Sequence, residues 1–201
     1  EDGDPYPHLD IVWPQAADGD GIGEVEIAGA AGLEINPADG KLYTFSNYSG
    51  SLFEVSPDNA DTNLICTSPE LFPNIRDFTF APDGTIYAIT ELGLFTVNTT
   101  TCGFTFITND EFEWDAADGI SFYNGTLLVK GYGDVVFKVN LSTGQVDYVN
   151  EIYFVGEYQE FMYMEDCFDY NKIYNVFYST AYDDDWGDLQ LVSIDTNSFT
   201  A

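Results

Sequence analysis

The chain has 201 residues, 45% hydrophobic and 16% aromatic, enough for a packed core in one or two domains. Its 35 Asp and Glu against 5 Lys and Arg give a formal net charge of -30. Such a surface repels phosphate backbones and anionic membranes, and no apolar run nears the ~20 residues of a membrane span; nucleic-acid binding and membrane insertion are not expected.

In chain order, residues 1–23 form an N-terminal extension. It starts Glu1-Asp2-Gly3, with neither Met nor a signal peptide, as expected of a processed mature chain or a portion of a longer one. It holds the single histidine, His8, so a Ser-His-Asp triad or a multi-histidine metal site is excluded. It runs into an acidic, Gly-rich loop, Ala17-Asp18-Gly19-Asp20-Gly21-Ile22-Gly23-Glu24, followed by the apolar alternation of Val25 to Ala28. The loop resembles the calcium loop of FG-GAP blades in integrin α-subunits, roughly D-x-D-x-D-G-x-x-D before an apolar strand. That resemblance implies Ca2+ held by the side chains of Asp18, Asp20 and Glu24 and the carbonyl of Ile22. Ala16 departs from it, standing where the motif has its first acidic ligand. The plainer reading is a Gly-rich turn.

Residues 24–201 then repeat a phrase four times. Asn36 to Tyr43 reads NPADGKLY, Ala81 to Tyr87 APDGTIY, Tyr123 to Leu128 YNGTLL and Tyr170 to Tyr174 YNKIY. An Asp-Gly or Asn-Gly pair closes a hairpin because Gly and Asn tolerate positive φ, and the Leu-Tyr or Ile-Tyr after it starts the next strand. Around each phrase stand short β-branched and aromatic runs, and no segment has a helical period. In the first unit they are Gly32–Ile35, Leu42–Phe45, Gly50–Val55 and Thr62–Ile65. Four strands repeating every ~40–50 residues predict an all-β fold, a β-propeller of about four four-stranded blades near residues 32–66, 77–108, 119–149 and 166–201. The fourth unit has three clear runs and then the stub Ser198-Phe199-Thr200-Ala201. The strand Glu24–Ala28 is expected to complete it and close the ring; the alternative is an arc of a larger propeller.

These phrases resemble the blades of extracellular β-propellers of the gluconolactonase and strictosidine-synthase type, in which P-x-D-G-x-L-Y is frequent. The resemblance supports the fold far better than an activity.

Alternation of strands places the turns between strands one and two, and three and four, on one face. The other face carries the two–three turns and the links between blades. On this map the blade-entry residues Asp77, Asp118 and Asp166 approach the channel mouth of the second face, with Glu34 one blade away. Three carboxylates converging there would make a hard-oxygen cation site, against the plainer reading of solvated entry residues. Asp183-Asp184-Asp185 begins an acidic insertion read as a solvated loop.

Asn47-Tyr48-Ser49, Asn98-Thr99-Thr100, Asn124-Gly125-Thr126 and Asn140-Leu141-Ser142 fit the N-glycosylation acceptor. Four such triplets in a chain of this size point to secretion, with N-linked glycans at these asparagines. Cys66, Cys102 and Cys167 allow one disulfide and one leftover thiol, in a spacing that fits neither a zinc knuckle nor a redox pair. Cys66 and Cys102 fall in adjacent blades but on opposite faces of the map, which leaves the pairing open.

With no phosphate loop and no dinucleotide fingerprint, no residue is assigned a catalytic role. The expected function is a secreted, extracellular, glycosylated propeller serving as a non-enzymatic binding or structural module at the cell surface or in extracellular matrix. Its partner would be a protein, a glycan or another copy of itself. The alternative is a calcium-dependent hydrolase of lactonase type, which needs only carboxylates, an Asn and a metal.

Overall fold

A computed structural model describes residues 27, 29–68, 74–108, 114, 117–131, 134–153, 162–164, 168–183 and 189–200. The strands form four four-stranded antiparallel sheets arranged as a four-bladed β-propeller. The first blade runs β1 (Ala30–Ile35), β2 (Leu42–Ser46), β3 (Ser51–Val55) and β4 (Thr62–Thr67), paired in that order. The second is β5 (Ile75–Phe80), β6 (Ile86–Thr90), β7 (Gly93–Val97) and β8 (Phe104–Thr108). The third is β9 (Gly119–Tyr123), β10 (Thr126–Gly131), β11 (Val135–Val139) and β12 (Val146–Glu151).

The fourth blade departs from this pattern. Its inner position is shared by β13 (Met162–Met164) and β14 (Asp169–Asn171), which pair with opposite ends of the long β15 (Val176–Asp183). The other edge of β15 pairs with β16 (Leu189–Asp195). The stub after β16 folds back, and Thr200 forms a parallel bridge to Tyr153 beyond the third blade. Glu24–Val25–Glu26, Ala28 and the expected closure of the ring lie outside the described residues.

The repeated phrase is the turn between inner strands. Gly40 has φ +74° and Gly84 φ +86°, and Asn124 and Gly125 take +49° and +78°. In the first copy Asp39 fastens the turn twice, accepting the Lys41 N–H at 3.0 Å and the Tyr43 hydroxyl at 2.9 Å. The fourth copy corrects the sequence reading. Ile173 and Tyr174 do not start a strand; both lie in the turn, and Ile173 is 85% exposed. Asn171 Oδ1 accepts the N–H groups of Ile173 (2.9 Å) and Tyr174 (3.2 Å), and Asn175 at φ 55° does the work of Gly40. The true equivalent of Asn36-Pro37-Ala38-Asp39-Gly40 is therefore Asn171-Lys172-Ile173-Tyr174-Asn175.

A second repeated turn, between third and outer strands, carries little sequence signature. Ser56, Asn98, Asn140 and Asp195 each accept, on the main-chain carbonyl, the N–H of the fourth residue on, at 2.9, 2.8, 2.7 and 2.9 Å. Those fourth residues are Ala60, Cys102, Gly144 and Phe199, all at positive φ.

The outer strands share a bulge. Ladder registers shift between Leu52 and Phe53, Leu94 and Phe95, and Val136 and Phe137, leaving Ile65, Ile107 and Val149 as the extra residues. A bulge bends its strand and resets which side chains face inward. Cys66 follows the first bulge, at the end of β4 beside the β2–β3 turn, and Cys102 lies in the β7–β8 turn; strand alternation puts these at opposite ends of adjacent blades, and the twist of the blades brings them together. They form a disulfide with Cα atoms 5.5 Å apart. The same junction recurs without a covalent bond. Thr108 packs on Gly144, where an added Cβ would come within 2.8 Å of its side chain, and Tyr153 N–H donates to Phe199 O at 3.0 Å. Cys167 lies outside the described residues.

Three hydrophobic clusters fill the spaces between consecutive blades. Phe45, Leu52, Phe78 and Ile86 anchor the first, Ile89, Leu94, Ile120 and Leu127 the second, Val136, Phe168, Phe177 and Ile194 the third. Phe45 and Phe78 meet edge to face at 4.9 Å, a favourable ring geometry. Among the described residues no such cluster joins the fourth blade to the first. By strand position Leu33 and Ile35 correspond to Phe78 and Phe80, yet they are 59% and 63% exposed where the latter are 0% and 5%.

Candidate functional site

The inner strands bring polar residues of different blades together. Asp77 on β5 is buried, and its carboxylate is held on both sides. Oδ1 accepts the Phe78 N–H at 2.9 Å, and Oδ2 accepts the N–H of Ile120, in the third blade, at 3.0 Å. Gly32 of the first blade closes over it: at φ +65° an added Cβ would stand 2.7 Å from Asp77 Oδ1. Asp77 therefore lies at a junction of three blades. Burial pushes its carboxyl up to about 8; Asp169 and Asp118 add to the rise, and the two N–H donors oppose it.

Asp118 pairs with Lys130 of β10, whose Nζ stands 2.7 Å from Asp118 Oδ1. Lys130 is completely buried and the Asp118 side chain largely so. The main chain supports the pair, Asp118 N–H donating to Lys130 O at 3.1 Å. On β9 of the same blade, Ser121 Oγ accepts the N–H of Tyr170, in the fourth blade, at 2.9 Å and lies 3.5 Å from Asp169 Oδ1.

Of the three blade-entry carboxylates, Asp77 lies on β5 and Asp118 immediately precedes β9. Asp166 lies outside the described residues, and Asp169 is the fourth-blade carboxylate seen near them. Glu34 lies opposite Tyr43 on the β1–β2 ladder. Among the described residues no group of three or more His, Cys, Asp or Glu is placed to hold a metal ion. Asp18, Asp20, Ile22 and Glu24 are outside the described residues, as are His8 and Asp184–Asp185.

A cleft of about 510 Å3 opens between the first two blades. Ala30 and Gly32 from β1, Asn47 and Tyr48 from the β2–β3 turn, and Asn74 and Arg76 at the entry to β5 line it, with Asp118 at its edge. All sit at the strand ends opposite the repeated phrase, so the cleft is on the second face. Small residues on β1 leave the space; exposed Tyr48, Asn74 and Arg76 furnish a ring, an amide and a guanidinium. Sequence reasoning missed Arg76, although an arginine at a blade entry, in a chain with 5 Lys and Arg in all, was a usable signal.

The four sequons occupy two kinds of place. Asn98 and Asn140 open equivalent outer turns and are exposed. Asn98 Oδ1 accepts the N–H groups of Thr100 (2.9 Å) and Thr101 (3.1 Å), and Asn140 Oδ1 those of Ser142 (3.0 Å) and Thr143 (3.2 Å). Asn124 is exposed in its hairpin turn. Asn47, on the cleft, is half-buried. The disulfide fits an oxidising compartment, and no helix among the described residues is long and apolar enough to cross a membrane.

No protein-family model matches the chain, and no curated protein matches it. Solved structures do. A chain of the nidogen/laminin complex aligns at TM-score 0.53 and 10% identity, over 85% of this chain and 65% of that one. A protein of unknown function from Bacteroides thetaiotaomicron aligns at 0.54 and 10%, over 86% of this chain and 42% of that one. Glutaminyl cyclase of Myxococcus xanthus aligns at 0.52 and 14%, over 83% and 74%. The chain thus spans about two thirds or less of the first two. At such identities the likeness shows the fold alone: this chain is a β-propeller, similar to structures that include an enzyme and a protein in complex.

Proposed function

We propose that the chain is a secreted, N-glycosylated β-propeller that works as a binding or structural module outside the cell, engaging a protein or glycan partner through the cleft-bearing face. The observation that carries this reading is where the inner-strand carboxylates are spent. Asp77 gives both oxygens to main-chain N–H groups of two blades, and Asp118 is paired with buried Lys130. A lactonase-type reaction would need such groups free to ligate a metal or move a proton. What stays accessible in the cleft is Tyr48, Asn74 and Arg76, a set suited to recognition. The disulfide and the exposed sequons support the secretory part. The nidogen chain, crystallised with laminin, illustrates a similar fold held in a protein complex.

The test offers the purified protein a panel of lactones with calcium and with chelator, and in parallel a panel of extracellular-matrix proteins and glycans on a sensor surface. Saturable binding that Arg76→Ala and Tyr48→Ala weaken, with no turnover, is expected. Calcium-dependent turnover would overturn the reading in favour of a hydrolase.

A further inference from the structure

The four sequons are equivalent in sequence and unequal in the fold. We propose that Asn98, Asn124 and Asn140 carry sugar while Asn47 stays unmodified, so that glycans crowd one face of the propeller and leave the cleft-bearing face bare for contact.

Three observations separate Asn47 from the others. Its Oδ1 is buried without a hydrogen-bond partner and occupies the place that a Cβ on Gly29 would take. Gly29 allows this because it has no Cβ, and it sits at φ +62°. The Asn47 main chain is tied to the same residue, its N–H donating to Gly29 O at 2.8 Å. A sugar on Nδ2 would have to draw this carboxamide out of its packing. Second, the acceptor hydroxyl of the triplet is engaged elsewhere: Ser49 Oγ donates to Ser51 Oγ at 2.8 Å. Third, at Asn98 and Asn140 the hydroxyl residue's own N–H is bonded to Oδ1, which brings hydroxyl and carboxamide together and leaves Nδ2 turned away from the main chain. Asn47 Oδ1 receives no such bond.

The segregation by face follows from the ladders. Asn98 and Asn140 stand between third and outer strands, and Asn124 between the inner two, so within antiparallel blades all three turns open on one side. Contacts between blades keep the inner turns on one side. Gly84 in the second blade's inner turn lies against Ala38 in the first blade's, and Tyr87 and Phe122, both beside inner turns, meet at 5.7 Å. Asn47 is in a β2–β3 turn and so opens on the other side, where the cleft is. An oligosaccharide there would cover Tyr48 and Arg76; three oligosaccharides opposite would leave them clear.

This inference rests on the secretory reading. The experiment expresses the chain through a eukaryotic secretory pathway, releases N-glycans enzymatically in heavy-oxygen water, and maps the label peptide by peptide. Label at Asn98, Asn124 and Asn140 with less than a tenth of that occupancy at Asn47 is the expected result. Asn47→Gln should then leave the intact glycan mass unchanged, whereas Asn98→Gln, Asn124→Gln and Asn140→Gln should each remove one glycan. Occupancy at Asn47 comparable to the other three would overturn the inference and leave the secretory reading standing. Label at none of the four would overturn both.

Discussion

Removing the Cys66–Cys102 bond tests how much the propeller owes to its one observed staple. The cysteines are 36 residues apart, and cross-linking a loop of that size lowers the entropy of the unfolded chain by an amount worth about 4 kcal/mol. Unfolding entropy near 2.1 cal/mol/K per residue gives ~0.4 kcal/mol/K for a chain of this length, so the loss should lower Tm by about 9 °C. The variant needs care. Cys102 sits at φ 50°, a conformation that costs Ala what it costs Cys and that Ala60 holds in the equivalent turn, whereas glycine would relieve the strain. Cys66→Ala with Cys102→Ala is therefore the fair comparison, measured by scanning calorimetry beside the wild type with and without reductant. Reduced wild type and the double variant should melt together, both well below the oxidised protein. A difference under about 2 °C would refute the reasoning, since it would mean the unfolded chain gains almost no freedom from opening the loop.

Asp77 should give stability a distinctive pH dependence. Its carboxyl titrates near 3.8 when unfolded and is pushed up to about 8 when folded, so between those values the native state holds a proton the unfolded chain has released. Its contribution is fully present below pH ~4 and lost as pH rises through ~8, so Asp77→Asn should flatten the fall in Tm over that window; identical slopes would remove the assignment. Lys130→Met should destabilise by about 3 kcal/mol by stranding Asp118, and Asp118→Asn added to it should recover part of the loss in chemical denaturation. Gly93→Ala should cost about 3 kcal/mol, because at φ +136° its Cβ would run into the Thr108 carbonyl. Gly125→Ala, facing open space, should cost about 1 kcal/mol from positive φ alone, and equal effects would show that the contact at Gly93 is unimportant.

The inner turns were legible because their left-handed positions are mostly glycine, and Gly40, Gly84 and Gly125 mark the blades without help. The outer turns were hidden because Ala60, Cys102 and Phe199 hold the same conformation without the residue that advertises it. What recurs there is an oxygen-bearing first residue, Ser56, Asn98, Asn140 or Asp195, too common a type to notice unaided. The bulges at Ile65, Ile107 and Val149 left no trace, since an extra β-branched residue in a strand looks like any other. Asp77 and Asp118 were found as carboxylates at blade entries, but their partners could not be. A main-chain N–H from Ile120 and a lysine from a neighbouring strand are set by how strands and blades abut.

Among the described residues, three clusters between four sheets couple each blade to its sequence neighbour as in a short linear array. The second and third blades are clasped from both sides, whereas among the described residues the first and fourth are each clasped from one. In such an array stability is roughly a sum of unit and nearest-neighbour terms, and opening proceeds from the ends. The ends are not alike: the first blade is tethered to its neighbour by the disulfide, while the fourth relies on the Tyr153–Phe199 and Tyr170–Ser121 hydrogen bonds and the ring contact of Tyr170 with Tyr123 at 4.7 Å. The fourth blade is thus the first to detach, and amide hydrogens of β15 and β16 should exchange before those of β6 and β10.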